Sequence, residues 1–234
     1  MTRARIAVLA SGAGTNLQAI LEHFDRLGDR RAGDVVLVAS DRPAAGALDR
    51  ARTRGIAAET IAPTETPNGR AIEAVLEEHR VDLIVLAGFL RLVPMSTVSR
   101  YAGRIVNVHP ALLPAFGGMG MYGLRVHEAV LAAGVTVSGV TAHFVDEAYD
   151  RGRIIAQWPV PVLVGDDARA LAARILRVEH LLFPRVVDAV AAQRVTLASC
   201  RTSGGFTPEP SVAFTLLSRE DDCLAEEIDR ALGC

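Results

Sequence analysis

Two side chains with complementary chemistry stand two residues apart in Arg104-Ile105-Val106-Asn107-Val108-His109-Pro110-Ala111-Leu112-Leu113-Pro114. Asn107 offers amide donors, and His109 is a base that can become a cation. That combination suits acyl transfer, in which one group stabilises a developing oxyanion while the other manages protons. The β-branched run before them predicts a strand. Its period-two alternation puts Asn107 and His109 on the same side, at the carboxyl end. Ligands of open parallel sheets bind outside such ends. The structural alternative is that Asn107 caps a turn and His109 is a satisfied core histidine.

Other segments carry related signals. Ser11-Gly12-Ala13-Gly14-Thr15-Asn16 follows the first apolar run and opens a helical pattern. Small residues let the backbone approach an anion, and a helix N-terminus supplies free N–H groups. The loop has neither the lysine of a P-loop nor the third glycine of a dinucleotide fingerprint, so it suits a single phosphate. The alternative is a tight turn with Thr15 as N-cap. Asp82–Val93 predicts a strand ending at Ala87-Gly88, then an apolar hook with Arg91 inserted. Main chain exposed at a glycine can read the edge of a planar heterocycle, although Phe89, Leu90 and Leu92 could equally be core. In His143–Gly152, His143 closes a strand and acids crowd the next loop. Asp146 and Glu147 read as solvated, whereas Asp150, before Arg151-Gly152, reads as a tightly turned carboxylate.

Alternating elements must position these groups. Strand-like runs at 6–10, 35–39, 58–61, 83–87 and 105–108 alternate with helical patterns at 17–27, 44–54 and 70–79. This predicts an α/β fold with a mostly parallel sheet and helices on both faces. Longer extended runs at 135–145 and 153–162 predict antiparallel or mixed additions in the C-terminal half, and 167–191 a long amphipathic helix. Residues 1–200 are expected to form one domain, with 201–234 as a tail. There Ser218-Arg219-Glu220-Asp221 resembles an N-cap for a short helix with Leu224, Ile228 and Leu232 on one stripe.

Composition narrows the class. The chain has 234 residues, 50% hydrophobic and 22% charged, enough for a sizeable core. A net charge of -2 and 5% aromatic residues argue against a nucleic-acid partner. The three cysteines form no Cys-x-x-Cys pair, which fits a reducing cytoplasm. No run has the apolar length to span a membrane, and no recognised metal spacing occurs, so neither a membrane partner nor a metal is expected.

Taken in order, Ser-Gly-x-Gly-Thr-Asn at 11–16, Leu-Ala-Gly-Phe at 86–89, Asn-x-His-Pro-x-Leu-Leu-Pro at 107–114 and His-Phe-Val…Asp-x-Gly at 143–152 resemble the glycinamide ribonucleotide transformylases. The resemblance spans about residues 5–195 and implies a Rossmann-like formyltransferase fold. It implies transfer of the formyl group of 10-formyltetrahydrofolate, a co-substrate, to glycinamide ribonucleotide in purine synthesis. It makes Asn107, His109 and Asp150 catalytic, with Asp150 raising the basicity of His109, and His143 supporting them. It assigns Gly14, Thr15 and Asn16 to the substrate phosphate and Glu179 to its ribose. Folate would meet Arg70, Leu90, Arg91, Leu92, Val93, Asn107, Asp146 and Asp150. The partners are small molecules, the protein a monomer or homodimer.

The chain also departs from the family pattern. The segment before Asp82 is short, so Arg70 need not match the family's folate-contacting arginine. Phe116–Gly123 is glycine-rich and reads either as a lid or as a passive loop. Arg153 replaces a common proline, and the tail beyond Leu197 has no family counterpart. Three further readings keep the same residues. Another amine acceptor, as in methionyl-tRNA or sugar-nucleotide formyltransferases, would keep the donor. So would formyltetrahydrofolate deformylase, and a non-catalytic folate or nucleotide-binding protein would keep only the fold. The tRNA enzyme carries a further basic domain, and deformylases an extra N-terminal one.

Overall fold

The computed structural model describes residues 2–61, 70–198 and 223–233, with Arg70 and Cys223 described by their backbone alone. The chain divides into two compact units, Met1–Asn107 with Val187–Arg194, and Val108–Val186 with Val195–Cys234. One seven-stranded sheet has the order β3-β2-β1-β4-β5-β6-β7.

In the first unit the strands are β1 (Ala4–Leu9), β2 (Gly33–Ser40), β3 (Ala57–Thr60) and β4 (Leu83–Leu86), followed by β5 (Ile105–His109), which ends two residues into the second unit. β1 pairs in parallel with β2 and β4, β2 with β3, and β4 with β5. Every residue from Ile6 to Leu9 has no exposed surface. This explains an unbroken apolar run: a central parallel strand buries both faces. The helices are α1 (Thr15–Leu27), α2 (Gly46–Thr53), α3 (Arg70–Glu78) and α4 (Met95–Arg100), with a 3₁₀ turn at Gly28–Arg30.

The second unit contains α5 (Leu124–Ala132), β6 (Val137–Phe144), β7 (Ile154–Pro161), most of α6 (Ala168–Ala191) and α7 (Cys223–Leu232). β6 and β7 are antiparallel, as expected for the C-terminal additions, with a register shift between Ala142 and His143. Leu224 and Ile228 are buried, Leu232 is half-buried, and Arg185 of α6 meets Glu227 of α7 at 2.9 Å. The expected cap at 218–221 lies outside the described residues. Two helices, α4 and α5, were not expected. α4 is six residues rich in Ser, Thr and Val, too short to show a period. α5 places His127 between Val126 and Val130 in its buried stripe, which breaks the apolar pattern. Among the described residues no helix is long and apolar enough to cross a membrane.

A buried polar clamp holds the segment after β5. Thr141 Oγ1 donates to the Ala111 carbonyl at 2.7 Å and accepts from Leu113 N–H at 3.0 Å. Gln157, opposite Thr141 on β7, donates through Nε2 to Thr141 Oγ1 at 3.0 Å and to the Leu113 carbonyl at 2.9 Å. Beside them Gly139 leaves room for Leu112, whose Cδ2 a Cβ would meet at 2.6 Å. The strap that leaves His109 is thereby fixed to β6. Thr141→Val would strand two buried main-chain groups at roughly 1–3 kcal/mol each, so the expected loss is about 2–6 kcal/mol. Denaturant unfolding should show it, with Thr141→Ser recovering most.

Candidate active site

His109 ends β5 with its side chain 4% exposed. Its Nε2 stands 2.8 Å from the Phe116 carbonyl. A carbonyl only accepts, so Nε2 donates, and Nδ1 is left facing Asp150 Oδ2 at 3.5 Å. His143 repeats the arrangement. Its Nδ1 donates to the Phe144 carbonyl at 2.8 Å, and its Nε2 faces Asp150 Oδ1 at 3.6 Å. Two imidazoles therefore aim at one carboxylate. Gly118 N–H donates to Asp150 Oδ2 at 2.9 Å. The structure brings His109, His143 and Asp150 together, with His143 in direct reach of the acid rather than merely behind it.

Local sequence explains the pose of Asp150. Its φ of 55° is left-handed, which aspartate tolerates better than most residues. The chain then returns so tightly that a Cβ on Gly152 would lie 1.7 Å from the Phe144 carbonyl oxygen. The register shift before His143 re-aims that ring at the same place. Arg153 accepts from Phe144 N–H at 2.8 Å through its carbonyl, so exchanging proline for arginine there leaves this ladder bond intact. Phe116–Gly118 is no passive stretch, because it supplies a carbonyl to His109 and an N–H to Asp150. A Cβ on Gly117 would meet Leu113 Cδ2 at 2.4 Å and Asp150 Cβ at 3.2 Å.

The electrostatics add burial to the expected effect of Asp150. Burial pulls His109 below the ordinary histidine value; the Asp150 charge and the Phe116 carbonyl raise it, and His143 lowers it. Asp150 does favour the cation, as expected, but desolvation outweighs it. For Asp150 burial acts upward, yet the hydrogen bond from His143, the His109 charge and the Gly118 N–H hold its carboxyl below the usual range.

The remaining expected residues are placed as follows. Asn107 precedes His109 by two positions on β5 and is half-buried. Gly14 caps α1 at φ 73°, and Thr15 is the first helical residue; no side chain caps this helix, which overturns the Thr15 cap. A Cβ on Gly14 would lie 2.7 Å from Ala47 Cα. Two loop carbonyls are taken by α2: Ala47 N–H donates to Gly12 at 3.1 Å, and Arg50 Nε donates to Ala13 at 2.8 Å. The first-turn N–H groups of α1 lack intrahelical partners, so this loop can hold an anion. Asn16 is buried. In the hook only Val93 is core; Leu90 is half-buried, Leu92 is 50% exposed and the Arg91 side chain 60%. Asp146 Oδ1 accepts from Ala148 N–H at 3.0 Å in a local turn. Glu179 is buried on α6 at 7% exposure. The Arg70 side chain lies outside the described residues.

His127, Arg50 and Thr141 were not anticipated. His127 is 4% exposed, and its Nδ1 is a buried atom with no hydrogen-bond partner among the described residues. Burial, then the His109 charge, pushes its imidazole down to about 4. A folded value below the unfolded ~6.5 means the unfolded chain binds more protons between them, so stability falls on acidification through that window. The His127 contribution to the loss from pH 7 to pH 5 is of order 2 kcal/mol. His127→Gln should remove that part of the slope in denaturant titrations at the two pH values; an unchanged slope would contradict the assignment.

A family model described as formyl transferase matches residues 4–187. The chloroplastic phosphoribosylglycinamide formyltransferase of Vigna unguiculata is 42% identical over 197 residues, 82% of this chain and 62% of that protein. The human trifunctional purine biosynthetic protein adenosine-3 is 39% identical over 199 residues, 83% of this chain but 19% of that protein. The chain thus spans less than two thirds of several curated relatives it matches. Among solved structures, glycinamide ribonucleotide transformylase 1 from Symbiobacterium toebii superposes with a TM-score of 0.74 at 43% identity, covering 82% of this chain and 89% of that one. Phosphoribosylglycinamide formyltransferase from Bacillus halodurans gives 0.70 at 39% identity, covering 81% and 94%. By that match over most of its length, and by these relatives, the chain belongs to the formyl transferase family.

Proposed function

We propose that this chain moves the formyl group of 10-formyltetrahydrofolate to the amine of glycinamide ribonucleotide. The observation that carries the reading is the His109–Asp150–His143 cluster of a formyl transferase, in which His109 follows Asn107 by two residues on β5. The names of the relatives at about 40% identity supply the acceptor.

The geometry supports the following roles. Nδ1 of His109 faces Asp150 at 3.5 Å, so Nε2, bonded here to the Phe116 carbonyl, is the nitrogen that would turn to substrate. As the amine attacks the formyl carbon, a C–N bond forms and the formyl oxygen gains negative charge. Protonated His109 and the Asn107 amide stabilise it, a single such donor commonly being worth ~3 kcal/mol. Asp150 holds the imidazolium and helps carry a proton from the attacking amine to N10 of the folate. The C–N10 bond then breaks, and tetrahydrofolate leaves. Because Nε2 donates to Phe116 here, that carbonyl must release it when the formyl oxygen arrives. The Gly14–Asn16 loop would take the substrate phosphate and Glu179 its ribose hydroxyls. The Leu90–Val93 hook and the 146–150 loop would take the pterin.

Purified protein with 10-formyltetrahydrofolate, followed spectrophotometrically with and without glycinamide ribonucleotide, tests the reading. Acceptor-dependent turnover is expected. Turnover without acceptor would instead mark a deformylase, and silence in both would defeat the proposal. His109→Ala should remove most activity and Asn107→Ala about 10²–10³ of it, with far-UV circular dichroism unchanged. Asp150→Asn should lower both the rate and the pH at which the residual rate is half-maximal; an unmoved pH profile would break the proposed coupling.

A further inference from the structure

Asp41 lies directly after β2, at the carboxyl end where ligands of such sheets bind. Its side chain is only 7% exposed. Ser11 Oγ donates to Asp41 Oδ1 at 2.5 Å, and Ser11 Oγ itself accepts from Leu90 N–H at 3.0 Å. Ser11 N–H in turn donates to the Gly88 carbonyl at 3.0 Å. Asp41 Oδ2 faces Arg91 Nε at 3.4 Å, but that guanidinium is 60% exposed, and such pairs contribute little.

A hydroxyl has one proton. Given to a carboxylate, it leaves the oxygen's lone pairs to the Leu90 N–H, so Asp41 sets the direction of both bonds. Without the carboxylate, the Ser11 proton is free to turn toward another acceptor and the hold on Leu90 weakens. Gly88 adds the need for such a hold, since its φ of 76° opens the hook in the left-handed region. The anion-binding loop, by contrast, has its carbonyls held by Ala47 and Arg50, independently of Asp41.

We propose that Asp41 is a positioning residue: through Ser11 it fixes the main chain of the Gly88–Val93 hook for the folate heterocycle. This rests on the reading that the hook receives the folate. The test is calorimetric binding of 10-formyl-5,8-dideazafolate and of glycinamide ribonucleotide, each alone, to the full chain. Asp41→Ala should weaken the folate analogue about ten-fold or more and change the ribonucleotide by less than about two-fold. Asp41→Asn, whose amide oxygen still accepts from Ser11, should restore most of the affinity. The Ser11→Ala/Asp41→Ala double variant should bind the analogue no worse than Asp41→Ala. Equal losses for both ligands, additive losses in the double variant, or an Asp41→Ala protein that binds the analogue normally would each overturn the proposal. Wild-type protein that does not bind the analogue would overturn the folate reading and this proposal with it. If Asp41→Ala fails to fold, Ser11→Ala must show the same split between ligands, and its absence overturns the proposal.

Discussion

Keeping one buried carboxylate charged constrains much of the second unit. The Asp150 side chain is 11% exposed, and removing a carboxylate from water costs several kcal/mol unless donors replace the water. Gly118 N–H donates to it, and ring nitrogens of His109 and His143 stand 3.5 and 3.6 Å away, each a donor when its ring is protonated. Each requires a backbone concession. Asp150 and Phe116 both adopt φ of 55°, Gly117 and Gly152 sit where a Cβ would overlap neighbours, and β6 slips register just before His143. None of these features stabilises a sheet by itself. Together they make sense as the cost of holding a charge where water is scarce.

On the proposed reading, that arrangement also sets how His109 would act. Burial makes it a poorer base at rest, while Asp150 keeps a proton on it within reach. A developing oxyanion near Nε2 adds a second favourable charge at the moment of reaction, in a medium where charges interact strongly. The proton on His109 is therefore held more tightly in the transition state than before it. Differential stabilisation of this kind, and not basicity at rest, accelerates the chemical step. The Thr141–Gln157 clamp matters for the same reason, because a ring that wanders loses the geometric advantage.

Much of this was legible in the chain. The strands of the sheet showed as short β-branched runs, Asn107 and His109 as chemistry at a strand end, and Asp150 as a tightly turned loop carboxylate. What stayed hidden depends on three-dimensional closure. Asp41 follows Ser40 at a strand end, the one local hint available, but its partners are distant in sequence. His127 was masked because a histidine in an apolar stripe breaks the pattern that would mark its helix. Gly117 and Gly118 looked like any mobile glycine loop, since the contacts that define them come from Asp150, more than thirty residues away. The net direction of the His109 shift was hidden for a different reason: spacing shows which charge is near, whereas desolvation depends on everything packed around it.

On the proposed reading, the first unit receives the substrate phosphate without a lysine. A loop that receives an anion must keep carbonyl oxygens from facing it, and glycines alone do not ensure this. Here α2 takes the Gly12 and Ala13 carbonyls through Ala47 N–H and the Arg50 guanidinium, and Gly14 makes the left-handed turn into α1. The close packing of Gly14 on Ala47 leaves no room for a Cβ at the turn. With acceptors removed and a helix N-terminus behind it, such a loop would be selective by what it withholds. Arg50 adds positive charge while remaining bonded to the loop, so the binding surface is set before any anion arrives.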